Sequence, residues 1–352
     1  MVKTRREASI SRLVTDELLA FISAEREGLE REALPLLDEL EALVEAGGKR
    51  LRPRFCYWGF VAGGGEPGAE IIRVGASLEL LHTFAVIHDD VMDRSPLRRN
   101  RTSTFRALAD LSAGVPHSGD PERFGMSAAI LTGLLGFVLA DRLFLTSGFP
   151  ADVVLRAAER FDTMRTRAIA GQYLDLLSAH RGEADEATAR RIGTLKSAGY
   201  SVVDPLVIGA LCAGTEPRVV QALESYGGPI GEAFQLRDDV LGVFGDPSVT
   251  GKDRDGDIRE GKQTVLLAKA KTMAGAAELS FLDAAVGDRH LPAEDADRVR
   301  GIIESTGALR ATNELVAALV TEAKSHLDPN LIGTEASEAL NELADAVAQR
   351  KD

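Results

Sequence analysis

Cysteine is almost absent: the 352 residues hold two, Cys56 and Cys212. That excludes a disulfide framework, and with no C-x-x-C pair it excludes the common zinc spacings. A reducing, cytoplasmic setting fits. Long hydrophobic runs are missing too. The most extended nearly apolar stretch, Ser127 to Ala140, is too short to cross a bilayer and reads as a buried helix. The opening MVKTRREASI lacks the apolar core of a signal peptide, so neither membrane spanning nor secretion is expected. Positive charge is in deficit, with 41 Lys and Arg against 54 Asp and Glu and a net charge of -13. This balance disfavours nonspecific nucleic-acid binding. An anionic ligand must therefore be met by local basic clusters or by metal ions. Alternating β-branched runs, short repeats and low-complexity linkers are also lacking, which leaves no case for a sheet.

What remains is helical periodicity over nearly the whole chain. Hydrophobic residues make up 45% and charged residues 27%, enough for a large core. Residues 10–46 carry leucines at spacings near three and four, with Pro35 expected to break or kink the run and Gly47-Gly48 to end it. A second helical stretch covers 69–93 and closes at Pro96. Residues 109–124 read as a loop. Helices are expected over about 125–147, 150–180, 185–213, 217–244, 262–274, 293–305, 307–326 and 334–349. The expectation is one all-α domain spanning 1–352, a bundle of ten or more helices.

The sharpest motif is His88-Asp89-Asp90-Val91-Met92-Asp93, at the end of an apolar helix. Four residues turn a helix by about 400°, so Asp89 and Asp93 share a face. Like charges on one face repel unless a divalent cation neutralises them, and oxygen-only donors suit magnesium. Taken alone, the motif also fits a solvated helix end. Arg94, Arg98, Arg99 and Arg101 follow closely, and guanidinium groups bind phosphate in bidentate fashion. A second acidic pair, Asp238-Asp239, ends another apolar helical run after Phe234-Gln235. Facing the first across a bundle, it would complete a multi-metal site. Downstream, residues 245–264 are glycine-rich and hold Lys252, Asp253, Asp255, Asp257 and Lys262. They fit either a charged surface loop or a lid that brings lysines to an anion. Gly47-Gly48-Lys49-Arg50-Leu51-Arg52-Pro53-Arg54 gathers four cations beside glycines that permit close backbone approach, which suits a metal-free diphosphate site.

In this order, GGKRLRP (47–53), LLHTFAVIHDDVMD (80–93), Arg98-Arg99, GMSAAIL (125–131), GQYLDL (171–176), Lys196-Ser197, FQLRDD (234–239) and GKDRDGDIREGKQT (251–264) resemble the trans-isoprenyl diphosphate synthases, the polyprenyl synthetase family. The likeness runs from about residue 45 to 270. It implies an all-α isoprenoid-synthase bundle around a deep cavity, and a homodimer. It also implies head-to-tail condensation of isopentenyl diphosphate with dimethylallyl, geranyl or farnesyl diphosphate. Asp89 and Asp93 would hold two magnesium ions and Asp238 a third, supported by Asp90 and Asp239. Arg98, Lys196, Lys252 and Lys262 would surround the allylic diphosphate. Lys49, Arg50, His82 and Arg99 would take the isopentenyl diphosphate, with Phe234 and Gln235 beside the reaction centre and Ser197, which keeps the hydroxyl of the family's Lys-Thr pair, among the substrate-binding residues. Three departures stand out. The second motif usually runs DDxxD, whereas Gly242 holds its fifth place here, leaving two aspartates to serve the third ion with help from Asp257. Asn100-Arg101-Thr102-Ser103 replaces the usual Gly-x-Pro-Thr, and Leu134 stands where an aspartate is common.

The resemblance also places Phe84 and Ala85 at the pocket floor. Small Ala85 leaves room and bulky Phe84 can stop growth, which points to the twenty-carbon geranylgeranyl diphosphate. Two other readings stay open at this point: a class I terpene cyclase, against which GGKRLRP argues, and a non-catalytic partner subunit, against which both retained aspartate pairs argue.

Overall fold

The computed structural model describes residues 2–116, 118–182, 185–246 and 254–349, with side chains from Ser9 onward. The chain is a helical bundle, and its sole described sheet is one tiny hairpin. The helices α1 (Val2–Glu25), α2 (Leu34–Glu45), α3 (Leu51–Ala62) and α4 (Ala69–Asp93) lead into the strands Leu97–Arg98 and Arg101–Thr102. Then come α5 (Thr104–Ala113), α6 (Pro121–Leu145), α7 (Ala151–Arg181), α8 (Glu186–Gly193), α9 (Asp204–Cys212) and α10 (Pro217–Phe244). Shorter helices, from Gly256–Glu260 to Thr334–Ala348, complete the chain.

Each boundary has a local cause. Pro35 falls in the first turn of α2, where its missing N–H costs nothing. Arg94 takes the left-handed conformation, with φ of 54°, and ends α4 before Pro96. Asp120 caps α6 by accepting from the Glu122 N–H at 2.9 Å. The expected loop over 109–124 is accordingly shorter, because α5 runs to Ala113 and α6 starts at Pro121. Leu51–Ala62 and Ala276–Ala285 are helices that the glycine-flanked and Ala-rich patterns do not announce.

The rod expected over 185–213 is present, but Thr194–Val203 adopts the wider π-helical hydrogen bonding between α8 and α9. Such widened turns re-aim side chains and are frequent at functional sites. Gly171 on α7 lets the Lys196 backbone pack where any Cβ would collide with it. In this way the π segment is pressed onto α7 and its side chains are turned inward.

Buried apolar side chains from α1 to α10, with those of the C-terminal helices Ala308–Ser325 and Thr334–Ala348, form the main core, and a second cluster joins Val240 and Val243 to Ile258, Leu266 and Leu282. By length and composition alone, Ala69–Asp93, Pro121–Leu145 and Glu186–Cys212 would suffice to cross a membrane. The short apolar run counted in the sequence thus understates the length of the helix that contains it. In the bundle, 61%, 50% and 67% of their most apolar windows are buried against other helices, and the first and third line a polar cavity.

Candidate active site

A cavity of about 890 Å³ opens between α4, α7, the π segment and α10. Lys49, Arg50, His82, Phe84, Ala85, Asp89, Arg98 and Arg99 line it from one side. Lys196, Ser197, Phe234, Gln235, Asp238, Asp239 and Lys262 line it from the other. The two acidic motifs, separated by about 150 residues of sequence, therefore share one space. Lys252 lies outside the described residues.

On the α4 wall the three aspartates differ. Asp89 is partly exposed and faces the cavity, within 3.9 Å of Lys196 Nζ and 3.4 Å of Gln172 Nε2. Asp90 is buried and accepts from Arg98 Nε at 2.8 Å and from its Nη2, which also lies 3.5 Å from Asp89. The guanidinium thus holds the helix end in place while presenting charge to the cavity. Asp93 is nearly buried, and its carboxyl is pushed up by burial and by the neighbouring Asp89 charge. That crowding is the unfavourable like-charge arrangement a divalent cation would relieve.

On the opposite wall, Asp239 is buried and its carboxyl is raised to about 8 by desolvation, with the Asp238 and Asp257 charges adding to the effect. Gln235 Nε2 donates to it at 2.6 Å. Asp257 fills the place that a side chain at Gly242 would take on α10. Lys262 Nζ reaches Asp257 at 2.8 Å, Glu260 at 2.9 Å and Asp93 at 3.6 Å, and so bridges the two walls. Lys196 Nζ makes a parallel bridge from Asp175, at 2.6 Å, to Asp89. Glu260 is raised to about 7, chiefly by burial.

Among the described residues, no three carboxylate, imidazole or thiol groups converge to cage a metal unaided. Paired carboxylates with oxygen donors alone still fit magnesium, which keeps waters and takes substrate phosphate oxygens as its remaining ligands.

The basic end of the cavity is built around His82. Its Nδ1 lies 2.5 Å from the Tyr200 hydroxyl, and Arg52 stacks on the Tyr200 ring at 4.1 Å while donating to Ser201 at 2.6 Å. The imidazole is held well below its ordinary value, first by burial and then by Arg52, Arg99, Arg98 and Arg50. Four guanidinium groups around a neutral ring make a field that repels protons and attracts anions. Arg52 Nε is buried without a hydrogen-bond partner, an unmet donor that such an anion would satisfy.

Arg50 lines the cavity and is also tied into the protein. It takes φ of 49° and turns into the protein, pairing with Glu79 at 2.6 Å and with the Val44 carbonyl at 2.5 Å. Arg99 and Asn100 both have positive φ at the two-residue turn of the hairpin, as that turn requires. The unusual Asn100-Arg101-Thr102-Ser103 sequence therefore still closes tightly, and it sends the Arg99 guanidinium to the Leu43 and Gly47 carbonyls. Tyr200 is a cavity residue that the sequence reading does not name, and Arg52, Gln172 and Asp175 lie within its motifs without a role of their own.

At the apolar end, Phe84 and Ala85 face Ala168, Ile169 and Tyr173 of α7. His88 Nε2 donates to the Ile130 carbonyl at 2.9 Å. Gly133 of α6 leaves the room this ring needs, since a Cβ there would overlap it.

Comparison with known proteins places this geometry. The family model described as polyprenyl synthetase matches residues 35–304. The chain is 33% identical over 313 residues to a geranylfarnesyl diphosphate synthase of Aeropyrum pernix, covering 88% of this chain and 92% of that one. It is 32% identical to a short chain isoprenyl diphosphate synthase of Methanothermobacter thermautotrophicus, over 90% of each. The structure superposes with a TM-score of 0.92 on geranylgeranyl pyrophosphate synthase from Corynebacterium glutamicum, solved with isoprenyl diphosphate and magnesium. That pair shares 34% identity over 97% of this chain and 98% of the other.

Proposed function

The chain belongs to the polyprenyl synthetase family, and we propose that it is the prenyltransferase that builds geranylgeranyl diphosphate from isopentenyl diphosphate and shorter allylic diphosphates. One observation carries this reading: acidic side chains from two walls and the four arginines Arg50, Arg52, Arg98 and Arg99 line a single cavity that the apolar Phe84 and Ala85 also line. A diphosphate head fits each charged region, and a hydrocarbon tail fits the far end.

Asp89 and Asp93 on one wall, with Asp238 and Asp257 on the other, would hold magnesium, on the family's pattern three ions. Bound magnesium supplies neutralisation of the allylic diphosphate as it leaves. Lys196 and Lys262, which now bridge carboxylates, add fixed positive charge beside that leaving group, with Lys252 expected to join them. Arg98 holds Asp90 and so keeps Asp89 aimed at the cavity. Arg52, Lys49, Arg99 and neutral His82 bind the isopentenyl diphosphate. Arg50, paired with Glu79 and lining the same cavity, shapes their loop and adds its charge to this end.

The C–O bond of the allylic diphosphate breaks, and the isopentenyl double bond attacks the resulting carbon. One C–C bond forms, and a proton is lost to the departing diphosphate. Phe234, Gln235 and Ser197 flank this point and exclude water. Asp239, buried behind Asp238, accepts from Gln235 and so holds that side chain at the cavity wall.

A homodimer is supported by α6. Phe124, Leu131, Val138 and Leu145 recur at intervals of seven and are each at least half exposed, with Ile130 and Leu134 beside them. An apolar stripe of this length on a helix is a pairing surface. A cytoplasmic site of action fits the two free, buried cysteines.

The test is a magnesium-containing assay with each starter, with and without isopentenyl diphosphate, followed by product chromatography. Geranylgeranyl diphosphate formed only when isopentenyl diphosphate is present supports the reading. A cyclic hydrocarbon from farnesyl diphosphate alone would make the chain a cyclase, and inactivity of the purified chain would favour the partner-subunit reading.

A further inference from the structure

Two neighbours in the π segment, Tyr200 and Ser201, hold the donors at the basic end of the cavity. Arg52 Nη2 donates to Ser201 Oγ at 2.6 Å, and its guanidinium carbon lies 4.1 Å from the Tyr200 ring centroid. A serine oxygen at one edge and an aromatic face against its plane leave the guanidinium one orientation. The Tyr200 hydroxyl meets His82 Nδ1 at 2.5 Å. The two rings are 6.1 Å apart and tilted by 51°, so they meet through these polar atoms and not by stacking. An α-helix would turn such consecutive residues about 100° apart. The π-helical bonding over Thr194–Val203 reduces that step and lets both serve one end of the cavity.

The direction of the His82–Tyr200 hydrogen bond follows from where protons can sit. The imidazole is neutral, because burial and the charges of Arg52, Arg99, Arg98 and Arg50 oppose its protonation. Tyr200 keeps its proton, since burial pushes its hydroxyl up to about 12. A hydroxyl proton needs an acceptor, and among the described residues the side chain it meets is Nδ1 of His82. Nδ1 is then the bare nitrogen, and the ring proton sits on Nε2. Among the described residues Nε2 makes no hydrogen bond, and His82 lines the cavity. An N–H there is a donor left for a diphosphate oxygen. The opposite tautomer would present a lone pair that repels one.

We infer that Tyr200 and Ser201 are positioning residues for isopentenyl diphosphate: the Tyr200 hydroxyl sets His82 as the tautomer that donates from Nε2, and Ser201 with the Tyr200 ring fixes the Arg52 guanidinium at the same end of the cavity. This rests on the synthase reading and names what arranges its metal-free site. Ser201 is buried and acts through Arg52. Tyr200 lines the cavity, but its hydroxyl is engaged by His82.

The test uses the full-length protein and variants that keep the local shape. Tyr200→Phe removes the hydroxyl and leaves the ring against Arg52. Ser201→Ala removes the acceptor, and Ser201→Thr keeps it. Circular dichroism melting checks that each folds. Losing one oriented hydrogen bond should raise KM for isopentenyl diphosphate about 3- to 10-fold in Tyr200→Phe and in Ser201→Ala. KM for farnesyl diphosphate and kcat should stay within about twofold, and Ser201→Thr should behave as the parent. Carbon-13 NMR of histidine-labelled protein reads the tautomer from the ring Cδ2 shift, with the His82 signal assigned by its loss in His82→Gln. The parent should show the Nε2–H form, and Tyr200→Phe a mixture of both.

An Nδ1–H form in the parent would overturn the role of Tyr200, as would a Tyr200→Phe enzyme with unchanged KM. Ser201→Thr as impaired as Ser201→Ala would overturn the role of the serine oxygen. Equal rises in KM for both substrates would mark a loosened cavity and overturn positioning for one of them. All of these leave the synthase reading intact. A parent without synthase activity would sink that reading, while the tautomer measurement would still decide the His82–Tyr200 pairing.

Discussion

The carboxylate of Asp257 occupies the space above α10 that a side chain at Gly242 would need. The aspartate motif on α10 lacks its fifth acid, and a carboxylate from the short helix Gly256–Glu260 stands where that acid would project. Glycine at 242 is then a requirement of this arrangement. Restoring the usual motif with Gly242→Asp should therefore displace Asp257 and lower activity. Asp257→Asn should reduce turnover by about 10²-fold or more, the scale of losing one oriented electrostatic group. Initial rates across a magnesium titration check both, and a Gly242→Asp enzyme faster than the parent would contradict the arrangement.

Two arginines that look equivalent in the sequence should fail in different ways. Arg50 and Glu79 are both about 2% exposed and paired at 2.6 Å. Arg50→Met strands a buried carboxylate and should cost about 3–5 kcal/mol of stability. Arg52→Met should leave the fold nearly as stable and raise KM for isopentenyl diphosphate more than KM for the allylic substrate. Denaturant unfolding and steady-state kinetics on the pair separate the two roles.

This contrast marks the limit of what the sequence discloses. The helical face shared by Asp89 and Asp93 follows from periodicity, and α4 occupies the 69–93 span that the apolar pattern outlines. The left-handed turn at Arg50 does not follow from composition, and it brings the Arg50 guanidinium onto Glu79. Tyr200 reaches His82 only because the backbone widens over Thr194–Val203, a hydrogen-bond shift with no residue signature. Asp257 meets Gly242 through a chain reversal that a local pattern cannot announce.

Stability should depend on His82 in acid. In the native protein its value lies well below 6.5, whereas the unfolded chain takes up this proton below about 6.5. Protons thus favour the unfolded state: the contribution is complete above that value and is lost as pH falls, at about 1.4 kcal/mol per pH unit. His82→Gln should remove this part of the slope. Urea unfolding between about pH 5 and 7 checks it, and equal slopes for parent and variant would count against the buried neutral ring.

The α6 stripe should hold two copies together. Leu131→Glu with Val138→Glu places charge in its middle and should convert a dimer into a monomer of unchanged helicity. Sedimentation velocity distinguishes the two, and a parent that is itself monomeric at assay concentration would remove the stripe from the account.

The most direct measurement is anomalous diffraction from crystals soaked in manganese, standing in for magnesium, together with pyrophosphate. The predicted result is a single pyrophosphate in the cavity, with metal peaks at Asp89 and Asp93 on one side and at Asp238 beside Asp257 on the other. Lys196 and Lys262 should have turned from carboxylates to phosphate oxygens. Metal peaks with no common pyrophosphate, or a pyrophosphate bound away from both aspartate walls, would contradict it.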